Sequence, residues 1–170
     1  MLLAKFLESS QVVQGKEVLE LGCGTGVVGL SCGLLNAKKV LLTDLNYTLD
    51  NVRENVKLNH LEEIVDVFEL DWMKETDSGR LKGVELVVAA DVVWVEELVI
   101  PFVNTLKSIW ELSRPEIFIA HQTRAIRTDA LLFDRLQQAG FRWEKLDKSQ
   151  MHPDFRTDRI NIFQIVPASF

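Results

Sequence analysis

The chain repeats one pattern: a short apolar run that stops at a glycine, an aspartate or a turn, then a longer stretch whose apolar positions fall three and four apart. Val18 to Leu21 is the first such run and stops at Gly22; Lys39 to Thr43 stops at Asp44; Ile64 to Leu70, Val84 to Ala90 and Glu116 to Ala120 have the same form. Strands buried on both faces of a parallel sheet need near-continuous runs of this kind. Between them the period becomes helical. Helices are predicted from Val27 through Leu35, over Asn46 to Leu58 with Leu49, Val52 and Val56 inward, over Glu96 to Leu112, and over Ala125 to Ala139 with Gly140 at its close. Pro101 falls in the first turn of the third of these, where its missing N–H costs least. A helix with Leu2, Leu3, Phe6 and Leu7 on one face opens the chain, and two strands, Phe141 to Leu146 and Ile160 to Val166, close it.

Such alternation predicts an α/β fold: a seven-stranded, mostly parallel sheet with helices on both faces, joined by right-handed crossovers, with the last strand antiparallel. Composition refines this. With 170 residues and 47% hydrophobic content the chain supports one compact domain over residues 1–170. Its net charge of −6 argues against a broad basic surface for stable nucleic-acid binding and suits a basic protein or peptide better. Cys23 and Cys32 lack a CxxC or a Cys/His cluster, which points to free thiols in a reducing compartment and to no metal site. No run approaches the ~20 apolar residues of a membrane span, and no signal peptide is visible, so a cytoplasmic and possibly nuclear protein is expected.

The chemistry centres on Glu20-Leu21-Gly22-Cys23-Gly24-Thr25-Gly26, where strand gives way to helix. The glycines allow a tight turn with positive φ and leave no side chains between backbone and ligand. Gly24 to Gly29 also fits the dinucleotide fingerprint G-x-G-x-x-G, so both NAD and S-adenosylmethionine can be accommodated by this turn. Glu20 inside the strand, which a dehydrogenase would keep apolar, favours S-adenosylmethionine. Asp44, at the carboxyl end of the second strand, either accepts the hydroxyls of an adenosine ribose or caps the next helix. Asp71-Trp72, after the third strand, either reads an adenine through its amine and ring face or fills core space beside a solvated carboxylate. Ala89-Ala90-Asp91-Val92-Val93-Trp94 opens the fourth strand onto its loop; small residues there admit a substrate, and Asp91 and Trp94 project into the cleft. Asp91 as a helix cap is the alternative.

Taken in order, these four signatures resemble the lysine-methyltransferase branch known as methyltransferase family 16, the methyltransferase-like 21 and 22 group of class I S-adenosylmethionine-dependent enzymes. Asn51, Asn55 and Asn59, one helical turn apart, resemble the family's Asn-rich helix, and the closing strand pair resembles the hairpin that ends its sheet. The resemblance implies S-adenosyl-L-methionine as cofactor, with Gly22, Cys23, Gly24 and Gly26 lining its methionine moiety. It further implies Asp44 on the ribose, Trp72 on adenine assisted by Asp71, and Ala90 against the cofactor. It implies a protein substrate presenting a lysine; from their chemistry, Asp91 is expected to orient the acceptor amine and Trp94 to contact it by cation–π attraction, as the catalytic pair. Trp94 stands where the family has tyrosine, and the chain begins inside the family's first helix, without the segment that covers the cofactor. Small-molecule methylation, nucleic-acid methylation and a non-catalytic interaction module are the alternatives. Asp91-Val92-Val93-Trp94 lacks the two prolines of the nucleic-acid amino methyltransferases. His60, His121 and His152 look isolated; His121 to Arg124 border the acceptor pocket; Lys38, Lys39 and the scattered arginines read as solvated surface.

Overall fold

A computed structural model of the chain describes residues 1–74 and 78–168. Its strands are β1 (Glu17–Leu21), β2 (Lys39–Asp44), β3 (Val65–Glu69), β4 (Leu86–Ala90), β5 (Glu116–Gln122), β6 (Phe141–Lys145) and β7 (Ile160–Pro167). The helices are α1 (Leu2–Ser10), α2 (Val27–Leu34), α3 (Leu49–Leu58), α4 (Ser78–Leu81), α5 (Val99–Ser113) and α6 (Ile126–Gln138). The strands form one sheet in the order β3-β2-β1-β4-β5-β7-β6. β1 pairs parallel with β2 and β4, β2 with β3, and β4 with β5; β7 alone runs antiparallel, between β5 and β6. The expected fold class is the observed one. The closing strand, though, is an interior strand, and β6 takes the edge.

Successive side chains of a strand point to opposite faces, and the two resulting cores divide the helices. Val18, Val40, Leu86, Val88 and Phe118 pack with Leu3, Phe6, Val28, Val52 and Val56 of α1, α2 and α3. Leu19, Leu21, Val87, Ile117 and Ile119 pack with Val99, Phe102, Leu106, Leu132 and Leu136 of α5 and α6. Two helices start later than their periodicity predicts, because Asn46–Thr48 and Glu96–Leu98 are tighter 3-10 turns ahead of α3 and α5. Pro101 lies in the first turn of α5, and Gly140, with φ 89°, follows the last residue capping α6. Among the described residues no helix is long and apolar enough to cross a membrane.

From β1 the chain moves outward to β2 and β3, then crosses back to the other side of β1 to enter β4. Where strand order reverses in this way, the loops after the neighbouring strands splay apart and leave a crevice at the carboxyl edge. The glycine turn after β1 and the Asp91 loop after β4 flank that crevice.

Candidate active site

The turn after β1 is held from three directions. Gly22, Gly24 and Gly26 all have positive φ, at 63°, 58° and 84°. At Gly22 the need is also steric, since a Cβ there would lie 2.8 Å from Val92 Cγ1 and 3.4 Å from the Trp72 ring. The Cys23 amide donates to the Thr43 carbonyl at 3.0 Å, and the Thr43 hydroxyl donates to the Glu20 carbonyl at 2.7 Å, tying β1 to β2. From the side, Asn55 Nδ2 donates to the Thr25 carbonyl at 2.9 Å, which gives one member of the asparagine row a definite task.

Asp44 joins the turn directly. Its Oδ2 accepts the Gly24 amide at 2.7 Å and its Oδ1 accepts the Leu45 amide at 2.7 Å. Neither α3 nor the 3-10 turn ahead of it has a side-chain cap, so the capping alternative is not what this carboxylate does. Each oxygen of a carboxylate has room for about two donors, and one place on each stays open for a hydroxyl.

Beneath the turn lies Glu20, which the apolar pattern exposed only as an oddity. Its side chain is 2% exposed, and Oε2 accepts the Gly29 amide at 2.7 Å from the first turn of α2. Burial raises its pKa to about 8, offset in part by the Gly29 N–H and reinforced by the charge of Asp44. An unfolded glutamate titrates near 4.5, so the folded state holds the proton more tightly. The resulting penalty is absent below about pH 4.5, grows as pH rises and is complete above about pH 8; stability should therefore fall across that window, on the order of a few kcal/mol. Glu20→Gln, which keeps an acceptor for Gly29, should flatten the profile when urea unfolding is compared at about pH 5 and about pH 8. An equally steep fall in the variant would remove Glu20 as its source. The same burial, with the charge of Glu20, pushes the Cys32 thiol up to about 12 and the Cys23 thiol higher still, so both buried cysteines stay protonated and unreactive.

The crevice has a volume of about 480 Å³ and is lined by Gly22, Asp44, Asp71, Trp72, Asp91 and Trp94 among the residues expected from sequence. Cys23, Gly24, Gly26 and Ala90 fall outside this lining. Leu45, Tyr47, Leu70, Met73, Val92 and Leu98 complete it. Tyr47, 83% exposed, follows Asp44 closely enough for the sequence to have flagged it as a wall. Trp72 is half-buried: it packs on Phe102 with centroids 5.1 Å apart and also lines the cleft. Asp71 is engaged by its own turn. Its Oδ1 accepts the Met73 amide at 3.0 Å, its Oδ2 pairs with Lys74 at 3.2 Å, and these two contacts hold its carboxyl below the usual range.

At the other wall, Asp91 adopts φ 58° and its amide donates to the Ala120 carbonyl at 2.8 Å. The 3-10 turn that follows is not capped by a side chain, so Asp91 does not act as a helix cap. Its carboxylate instead pairs with Arg124. Arg124 therefore lies at the Asp91 wall, with 48% of its side chain exposed. Trp94 stands 60% exposed on the lip. His121 is likewise not isolated: 4% exposed, it places Nε2 2.8 Å from Asp129 Oδ1, while the Thr123 hydroxyl donates to Asp129 Oδ2 at 2.6 Å. That cluster holds the β5–α6 loop. No group of three or more His, Cys, Asp or Glu among the described residues is placed to hold a metal ion.

A parallel sheet of this order with one antiparallel strand beside its edge is the class I methyltransferase fold. It matches the crystal structure of magnesium protoporphyrin IX methyltransferase (ChlM) from Synechocystis PCC 6803 with bound SAM, at TM-score 0.67 and 14% identity, over 97% of this chain and 76% of that one. Residues 1–139 match the family model described as lysine methyltransferase, and the chain belongs to that family. It is 38% identical over 112 residues to Protein N-lysine methyltransferase METTL21A of Danio rerio, covering 63% of this chain and 50% of that protein. It is 28% identical over 167 residues to Protein-lysine N-methyltransferase EFM6 of Saccharomyces cerevisiae, covering 90% of this chain and 68% of that protein. The chain thus spans about half the length of the first of these relatives and two thirds of the second.

Proposed function

We propose that the crevice binds S-adenosyl-L-methionine and that the chain transfers its methyl group to a lysine of a protein, in the cytoplasm or nucleus. One observation carries this reading: a single space of about 480 Å³ has a ribose-competent carboxylate, Asp44, at one end and an exposed carboxylate beside an exposed indole, Asp91 and Trp94, at the other. The residues fit the group. Asp44 keeps free acceptor positions for two ribose hydroxyls, Trp72 offers a ring face to adenine with Asp71 beside it, and Gly22 lines the cleft with backbone alone. Cys23, Gly24, Gly26 and Ala90 contribute backbone around the turn and at the end of β4. Bound there, the cofactor supplies a methyl group already activated by a positively charged sulfur, which is why no nucleophile or metal is asked of the protein.

What the chain must do is hold the acceptor nitrogen in line, shed water and draw off a proton. Asp91 meets the arriving ammonium through a charge-assisted hydrogen bond; once that ammonium has given a proton to solvent, the lone pair of the neutral amine closes on carbon and Asp91 faces the positive charge that grows on nitrogen. Trp94 flanks the nitrogen with its ring face, an attraction that persists for methylated products. The tyrosine hydroxyl of the wider family is replaced here by that cation–π surface. A net charge of −6 favours a protein acceptor over nucleic acid.

Calorimetry with S-adenosylhomocysteine tests the first half. The wild-type chain should bind it, and Asp44→Asn, which loses the charge-assisted bond from the Gly24 amide, should bind about tenfold more weakly. Transfer from labelled donor into proteins of a cell extract, mapped to a modified lysine, tests the second. No binding, or label only in small molecules or nucleic acid, would overturn the reading.

A further inference from the structure

Arg124 sits where an acceptor cation belongs. It follows β5 on the loop into α6, with Nε 3.3 Å from Asp91 Oδ1 and Nη2 bonded to Asp91 Oδ2, so the guanidinium covers both oxygens of the carboxylate facing the cleft. The backbone on each side is fixed. Asp91 is held in its left-handed conformation by the Ala120 carbonyl, and the Arg124 loop is anchored by the Thr123 and His121 contacts to Asp129. The pair itself is open to solvent, with 48% and 41% of the two side chains exposed. Two rigid supports joined by an exposed ion pair make an exchangeable contact, because such a pair is worth little against a competing ion.

We propose that Arg124 is a specificity-determining residue of the acceptor site: its guanidinium occupies the seat of the acceptor ammonium until the substrate lysine displaces it. Once displaced, this permanently charged fork seeks a carboxylate. Glu96 and Asp129 on the adjoining elements are already engaged by Arg127 and by His121 with Thr123. The substrate supplies the missing partner, so the site selects a lysine flanked by an acidic residue, which pairs with Arg124 as the lysine pairs with Asp91. This rests on the reading that Asp91 receives the acceptor amine.

Two dye-labelled, end-blocked tripeptides test it, one with lysine between glycines and one with lysine between aspartates, titrated by fluorescence anisotropy into protein saturated with S-adenosylhomocysteine. The wild-type chain should prefer the aspartate-flanked probe by about threefold to fivefold, and Arg124→Gln should bind the glycine-flanked probe about threefold to fivefold more tightly than wild type while losing the flank preference. Arg124→Lys, which retains a cation without the fork, should keep part of that preference. Unchanged or weaker binding of the glycine-flanked probe by Arg124→Gln, or a preference that survives it, overturns the proposal. A chain that fails to take S-adenosylhomocysteine overturns the reading of the cleft instead, so the two failures are separable.

Discussion

Gly29→Ala should lower the stability of the fold by about 3 kcal/mol, although alanine is the better helix former by about 1 kcal/mol. The reason is contact, not backbone conformation. Gly29 lies in the first turn of α2, where the helix crosses β1 and β2; an added Cβ would overlap Leu42 Cδ2 and stand 2.7 Å from Glu20 Oε2 and 3.3 Å from Val40 Cγ1. Leu42 and Val40 are fully buried in β2, so neither side chain has open space to retreat into. Glu20 cannot retreat either: separating it from the Gly29 amide would leave a buried carboxyl without its donor, which adds about 1–3 kcal/mol of its own. Because β2 ends at Asp44 and Asp44 holds Gly24, the displacement reaches the ligand turn, and affinity for S-adenosylhomocysteine should fall with stability. Urea unfolding at one pH, read beside calorimetry, checks both. A variant as stable as wild type would mean that α2 can lift off the sheet freely.

The same residues show which features can be read from one dimension. The strand, glycine turn and helix from Glu17 to Leu34, and an acid at the end of β2, are legible because each is a local pattern: an apolar run, a φ requirement, a helical period. Periodicity puts the helix starts at Asn46 and Glu96, three residues early, because a 3-10 turn and an α-helical turn share nearly the same apolar spacing. Strand order is a different kind of fact. Ile160 to Val166 announces a strand, yet nothing in those residues says that it inserts beside β5 and leaves β6 at the edge; that depends on which faces the whole chain must cover. Within the site, Arg124 and Asp91 lie in separate loops whose conformations decide whether they meet, so the sequence puts Arg124 near the acceptor pocket without showing that it pairs with Asp91. His121 and Asp129 are brought together only by the turn from β5 into α6. Glu20 left a signal, a lone carboxylate in an apolar strand, and its meaning came only with the amide above it.

Asp91→Asn should reduce methyl transfer by about a hundredfold while leaving S-adenosylhomocysteine affinity within about twofold. Asparagine is the informative replacement. Asp91 holds φ 58°, a conformation that asparagine adopts more readily than alanine, and its amide bond to Ala120 is made by backbone, so the loop should keep its shape. The side chain keeps its size and one acceptor oxygen; only the charge goes. The acceptor cation then loses the partner that draws it past the lip at Trp94, and the nitrogen loses the negative charge opposing the positive charge it gains as the new bond forms. The residues proposed to hold the cofactor, Asp44 and Trp72, are unchanged by this substitution. Neutralising Asp91 also releases Arg124, whose unopposed charge at the mouth repels a lysine, so the loss should appear in KM as well as kcat. Adding Arg124→Gln to Asp91→Asn should recover part of the KM effect and none of the kcat effect, as expected when one residue competes for the seat and the other acts on the nitrogen. Turnover by Asp91→Asn within a few fold of wild type would take the carboxylate out of the reaction and leave Trp94 and the geometry of the cleft to align the acceptor.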